Sequence, residues 1–179
     1  MTIREKFEAV SGGDLCYYPL LYKALEDSKG DVLEMGMGHG STPILNELIT
    51  EEKRRLFSFD YNSDWLHKFD SILNVWHRSE LVQNWQSVYN RYPDAAVTFI
   101  DQSPGEERKH TIVAYKDTKG ILVIHDTEPT GAGDYQVRQH FPLFKYKAEV
   151  ETAGAWATAL SNEYDLTKWR GTFGNYTIS

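Results

Sequence analysis

Asp31-Val32-Leu33-Glu34-Met35-Gly36-Met37-Gly38-His39-Gly40-Ser41-Thr42-Pro43 is the stretch that decides the fold. Residues 31–35 read as a short buried strand that runs directly into glycines on alternate positions. Glycine admits positive φ and lets a ligand come close to the main chain. Ser41, Thr42 and Pro43 then form the first turn of a helix expected over 43–50. The N–H groups at such a helix start can hold an anion, either a phosphate or a carboxylate. By itself the glycine triplet says little, because tight strand-to-helix turns need glycine for their own geometry.

The surroundings raise its value. Asp60 closes the next strand, 55–60, twenty residues beyond Gly40. A doubly wound fold places an acid there to accept hydrogen bonds from ribose hydroxyls. Asp60 also reads as an N-cap for the following helix, but with the glycine loop ahead of it ribose binding is the favoured role.

Further out, a helix is expected over 16–28. Another follows Asp60, with apolar residues at Trp65, Leu66, Phe69, Ile72 and Leu73. A weak strand over 80–85 and a strong one over 95–101 come next. A helix over 106–116, the clearest central strand over 120–126 and a short helix over 134–141 complete the alternation. Strands alternating with helices imply a parallel sheet with right-handed crossovers. Two β-type runs, 146–153 and 155–161, flank Gly154 and read as a terminal hairpin.

The chain has 179 residues, 41% of them hydrophobic and 25% charged, which suits one globular domain with its own core. A single cysteine, Cys16, excludes an internal disulfide framework and reads as apolar filler in the first helix. No apolar run is long enough to cross a bilayer, and charges occupy the N-terminus where a signal peptide needs an apolar stretch. The expected location is therefore cytoplasmic, with no membrane contact. A net charge of −7 argues against general affinity for nucleic acid, so a small molecule or a protein is the substrate expected from charge.

In this order the sequence resembles the class I S-adenosylmethionine-dependent methyltransferases. The resemblance rests on Glu34 followed by Gly36, Gly38 and Gly40, on Asp60 ending the second strand, and on the final hairpin. It covers residues 30–161. It implies an α/β fold: a doubly wound, mostly parallel seven-stranded sheet with a C-terminal antiparallel hairpin. The whole would be a single domain of an N-terminal helical segment (1–29), a core (30–161) and a docked tail (162–179). It also implies that the 36–40 loop passes beside the methionine part of S-adenosylmethionine, with Glu34 near its amino group and Asp60 on the ribose hydroxyls. Asn84 or Trp85 would sit near adenine, although Trp85 reads equally well as a core aromatic.

Asp101 ends the fourth strand and His125-Asp126 the fifth. Adjacent parallel strands bring such ends together, so these three side chains are the catalytic candidates for removing a proton from the methyl acceptor. As strand-end acids, Asp101 and Asp126 could instead cap the loops that follow. Catechol-type members of the family bind magnesium with acids placed like Asp101 and Asp126. Here Thr127 stands where their asparagine would be, and Gln102-Ser103-Pro104 offers no match for their lysine base, so a divalent cation is doubtful.

Arg108 reads as an exposed salt bridge or an anion ligand, and the glycine-containing loop 127–134 as a rim. Tyr17, Tyr18 and Tyr22 either line the cleft entrance or pack the first helix. The short N-terminal segment leaves the cleft open or completed by a second copy in a homo-oligomer. The expected function is methyl transfer to an oxygen or nitrogen of a small molecule or glycan. A nicotinamide-dependent oxidoreductase is the first alternative, but its Gly-x-Gly-x-x-Gly fingerprint is not met. A non-catalytic nucleoside-binding module is the second.

Overall fold

The computed structural model describes residues 3–9, 13–130 and 135–179. Six helices are assigned among them: α1 (Ile3–Ala9), α2 (Tyr18–Asp27), α3 (Ser41–Glu52), α4 (Ser63–His67), α5 (Gln86–Arg91) and α6 (Glu107–Ala114). One mixed sheet holds β1 (Val32–Met35), β2 (Leu56–Asp60), β3 (His77–Leu81), β4 (Val97–Ile100), β5 (Ile121–His125), β6 (Tyr146–Glu151), β7 (Trp156–Ser161), β8 (Gly171–Phe173) and β9 (Tyr176–Ile178). The strand order is β3-β2-β1-β4-β5-β7-β6-β9-β8. β1 to β5 are parallel, and β7 runs antiparallel between β5 and β6.

β1, β4 and β5 are buried along their whole length, because helices cover both faces of the parallel part. Their side chains alternate between two cores. Val32, Val97, Phe99, Ile121 and Val123 pack with Phe7, Leu20, Leu21, Leu45 and Ile49 on one face. Leu33, Met35, Ile100, Leu122 and Ile124 pack with Val88, Tyr89, Ile112 and Tyr115 on the other.

Four expectations are corrected. The sheet has nine strands, not seven, because the tail forms a β8–β9 hairpin around Gly174 (φ 57) and Asn175. Glycine first in a two-residue turn is a standard hairpin geometry. β9 joins β6, with Ser179 and Glu149 exchanging two main-chain bonds, so β6 is not an open edge. Phe173 also meets Tyr22 of α2, and Trp169 Nε1 donates to Asp27 Oδ2 at 2.6 Å.

Secondly, the third strand covers His77–Leu81 rather than 80–85. It pairs with β2 alone and ends the sheet, so a polar sequence suffices there and the apolar pattern that would have marked it is missing. Thirdly, the helix expected through Leu73 stops at His67 and gives way to a 3-10 turn at Asp70–Ile72. Finally, the helix expected over 134–141 is a 3-10 turn at Arg138–Leu143 containing Pro142, which lacks the N–H for an α-helical ladder. Asp134 itself, like part of the expected 127–134 rim loop, lies outside the described residues.

Candidate cofactor cleft and acceptor site

Strand order reverses between β1 and β4, and open α/β sheets bind ligands at that point, outside the carboxyl ends of the strands. A cleft of about 330 Å³ lies there. Gly36, Met37, Asp60, Asn62 and Trp65 form one side, Asp101, Ser103 and Arg108 the other, and Tyr61 stands at the mouth, 53% exposed.

Asp60 ends β2 with both oxygens engaged by main chain: Met37 N–H donates to Oδ2 at 3.0 Å and Asn62 N–H to Oδ1 at 2.9 Å. Each carboxylate oxygen still has a lone pair for a hydroxyl. Burial raises its pKa, against the main-chain bonds that lower it. The N-cap role belongs to Asn62, whose side chain accepts from Asp64 N–H and Trp65 N–H. Asp60 is thereby left to the cleft.

The glycines divide in purpose. Gly36 has φ 91, and a Cβ there would lie 2.3 Å from Asp101 O. At Gly40 a Cβ would meet the Tyr17 hydroxyl at 2.5 Å and Leu15 Cδ2 at 2.6 Å, while Tyr18 OH donates to Gly40 O at 2.8 Å. These two positions are glycine because the chain packs on itself there. Gly38 has room, with only Ser41 Oγ near, and its N–H donates to Thr42 Oγ1 at 2.9 Å. Tyr17 and Tyr18 are buried, so of the two readings of these tyrosines the packing one holds.

Glu34 is fully buried, with no surface open to a ligand; three hydroxyls occupy its oxygens. Asn84 accepts from Gln86 N–H at the start of α5. Trp85 is 5% exposed in the core, and its Nε1 donates to Ser103 O at 3.1 Å. With β3 ending at Leu81, both residues belong to the β3–α5 turn.

Asp101, His125 and Asp126 do converge, with one ligand atom from each lying within 4.8 Å of the others. His125 Nδ1 is 3.3 Å from Asp101 Oδ1, so the proton of the neutral ring sits on Nδ1 and Nε2 keeps its lone pair. Nε2 is 3.4 Å from Asp126 Oδ1 outside hydrogen-bond geometry, and it is buried without a hydrogen-bond partner among the described residues. Burial lowers the pKa of His125, but the Asp101 hydrogen bond and the charges of Asp101 and Asp126 outweigh it, and the net shift is upward. The ring of Tyr17 packs edge-on against this histidine at 4.9 Å.

Arg108 is 5% exposed, contrary to the expected surface salt bridge. Its guanidinium reaches Asp101 Oδ1 at 2.8 Å and Asp126 Oδ2 at 2.7 Å, and donates to the carbonyls of Gln102 and His125 at 3.1 and 2.9 Å. Asp126 adopts φ 54, a left-handed conformation that aspartate tolerates, as the chain leaves β5. The three-residue cluster therefore already holds a cation. Its donor set does not fit a divalent ion, since both carboxylates are committed to a fixed guanidinium that such an ion would have to face. Accordingly, adding magnesium or manganese, or removing metal with a chelator, is expected to leave the thermal unfolding midpoint unchanged. A metal-induced upward shift would contradict this.

No family model and no curated protein matches the sequence. Solved structures do match. Rv0187 from MTB, solved with cofactor bound, aligns with a TM-score of 0.62 at 12% identity over 90% of this chain and 87% of its own. Spermidine synthase from Thermotoga maritima aligns with a TM-score of 0.58 at 16% identity over 87% of this chain. This chain spans 62% of that synthase. An rRNA methylase from Streptococcus thermophilus aligns with a TM-score of 0.56 at 13% identity, over 79% of this chain and 93% of its own. These neighbours share the class I S-adenosylmethionine-dependent methyltransferase-like fold, and the present chain has that fold. Because an rRNA methylase shares it, the fold does not exclude nucleic acid as a substrate, and only the net charge speaks against it. Among the described residues no helix is long and apolar enough to cross a membrane.

Proposed function

We propose that this protein is an S-adenosylmethionine-dependent methyltransferase acting on an oxygen or nitrogen of a small molecule or glycan. The observation that carries the reading is the meeting of a ribose-ready Asp60 and Asp101 at one switch-point cleft, with His125 buried directly behind Asp101, hydrogen-bonded to it through Nδ1 and carrying an unpartnered Nε2. S-adenosylmethionine, when bound, supplies a methyl group already activated by its positive sulfur. What remains for the protein is to align the acceptor and remove its proton. Asp60 would hold the ribose hydroxyls. Asp101 fixes the ring of His125 through Nδ1–H, and Nε2 would take the proton from the acceptor O–H or N–H as that atom bonds to the methyl carbon. Arg108 keeps Asp101 and Asp126 in place and offsets their charge.

The reading is tested by calorimetric binding of S-adenosylhomocysteine to the wild type and to Asp60→Ala. Hydrogen bonds to a charged group are worth about 1.5–3 kcal/mol each, so loss of two should weaken binding by about a hundredfold or more. Wild-type protein that ignores S-adenosylhomocysteine but binds NAD would instead support an oxidoreductase. Equal binding by the variant would remove Asp60 from the site.

A base must be unprotonated to act. With the pKa of His125 raised, methyl transfer should increase with pH through a point above the ordinary histidine value, and His125→Ala should abolish that limb.

A further inference from the structure

Glu34 lies in the middle of β1 with neither oxygen exposed, and the groups around it form a continuous chain to the edge of the sheet. Ser41 Oγ and Thr42 Oγ1 donate to Oε1 at 2.6 and 2.9 Å. Ser58 Oγ lies 2.6 Å from Oε2, His77 Nε2 lies 2.8 Å from the same Ser58 oxygen, and His77 Nδ1 lies 3.0 Å from Asn46 Oδ1.

Donors and acceptors can be assigned from the far end. Trp76 N–H donates to Asn74 Oδ1, which sets that amide so that Asn74 Nδ2 donates to Asn46 Oδ1 and to Thr50 Oγ1, both at 2.9 Å. Asn46 Oδ1 is thus an acceptor, and His77 Nδ1 must carry the proton that reaches it. Ser58 has one proton and two neighbours. If the imidazole is neutral, Ser58 donates to Nε2 and Glu34 must be the protonated acid that donates to Ser58. If Glu34 is a carboxylate, Ser58 donates to it and His77 must be an imidazolium. Every arrangement that avoids facing lone pairs and also gives the Ser58 proton one of these two acceptors keeps one proton between Glu34 and His77.

Burial decides where it resides. Glu34 is 0% and His77 2% exposed, and a pair of enclosed charges bears a desolvation cost that a neutral pair avoids. The neighbours act in the same direction: Asp101 at the end of β4 disfavours a second negative charge, and Tyr17 beside α2 is neutral. Asn46 of α3 and Ser58 of β2, which face His77, carry no charge. We infer that Glu34 is a neutral acid in the native protein and forms with Ser58 and His77 a one-proton relay tying the glycine loop and α3 to β3. Glu34 is then a positioning residue: through Thr42 it holds Gly38 N–H, and through Ser58 it holds β2.

The relay has a signature in stability against pH. Burial pushes Glu34 up to about 7. Alone, its contribution would be full below the ordinary carboxylate value and lost as pH rises through about 7. Burial pushes His77 down to about 4. Alone, its contribution would be present above the ordinary histidine value and lost as pH falls toward about 4. Between the ordinary values of about 4.3 and 6.5, the unfolded chain holds one proton on this pair, on histidine, and the folded chain holds one, on the acid. The two dependences cancel.

Nitrogen-15 NMR of the full chain between about pH 5 and 6 should show His77 as a neutral ring protonated on Nδ1. An imidazolium there would overturn the inference, independently of any variant. Glu34→Gln offers an N–H where the acid has its O–H and a carbonyl where it accepts, so it should fold. Relative to wild type, its folding constant should fall by up to about tenfold per pH unit below the ordinary histidine value, because His77 is then unmatched. Failure of Glu34→Gln to fold, or a difference from wild type that does not vary with pH, would count against the relay. None of these measurements depends on methyl transfer, so they stand or fall apart from the proposed activity.

Discussion

Replacing Arg108 by alanine is expected to lower stability by about 3–5 kcal/mol, the range for removing one partner from a buried ion pair. The loss arises less from the missing guanidinium than from what it leaves behind. Asp101 and Asp126 would face each other and His125 at the cleft wall, with the carbonyls of Gln102 and His125 also stripped of donors. Urea unfolding at neutral pH measures the effect. Arg108→Lys should recover only part, since one ammonium cannot reach both acids and both carbonyls in the guanidinium's fork geometry. A variant as stable as the wild type would show that the cluster does not need its internal cation.

Gly36→Ala should cost about 2–5 kcal/mol. About 1–2 come from placing a side chain at φ 91, and about 1–3 from overpacking against main chain. The atoms in the way are Asp101 O at 2.3 Å, Asp101 C at 2.5 Å and Gln102 Cα at 2.7 Å. Backbone cannot swing aside as a flexible side chain can, so the ends of β1 and β4 would have to part. Those ends carry the cleft, and S-adenosylhomocysteine affinity should fall together with the unfolding midpoint. Gly38→Ala is the control. Its nearest neighbour is Ser41 Oγ at 3.4 Å, and the unfolding midpoint should move little.

Much of this arrangement is legible in residue order. Buried strands with no polar face, such as 121–125, announce a sheet covered on both sides, and the glycine loop with Asp60 marks where it opens. Other parts leave little trace. β3 is an edge strand and needs no apolar pattern, so its sequence does not set it apart from the residues just downstream. Arg108 lies on α6 beside Glu106 and Glu107, and nothing in that order points to its actual partners at the ends of β4 and β5. The tail hairpin did carry a signal, Gly174-Asn175 between Phe173 and Tyr176, and its short strands weakened it.

The glycine loop, the acid ending β2 and the closing hairpin were determined by the sequence alone, because spacing along a chain dictates local turns and strand faces. Only the tertiary structure decided what Glu34 and Arg108 do. Glu34 sits two residues ahead of the loop and reads as a cofactor ligand, yet enclosure and three hydroxyls give its carboxyl to the protein interior. Arg108 reads as a surface charge and becomes the cation at the centre of the site. Burial and through-space partners set the charge and the role of an ionisable group, and neither is a property of its neighbours in sequence.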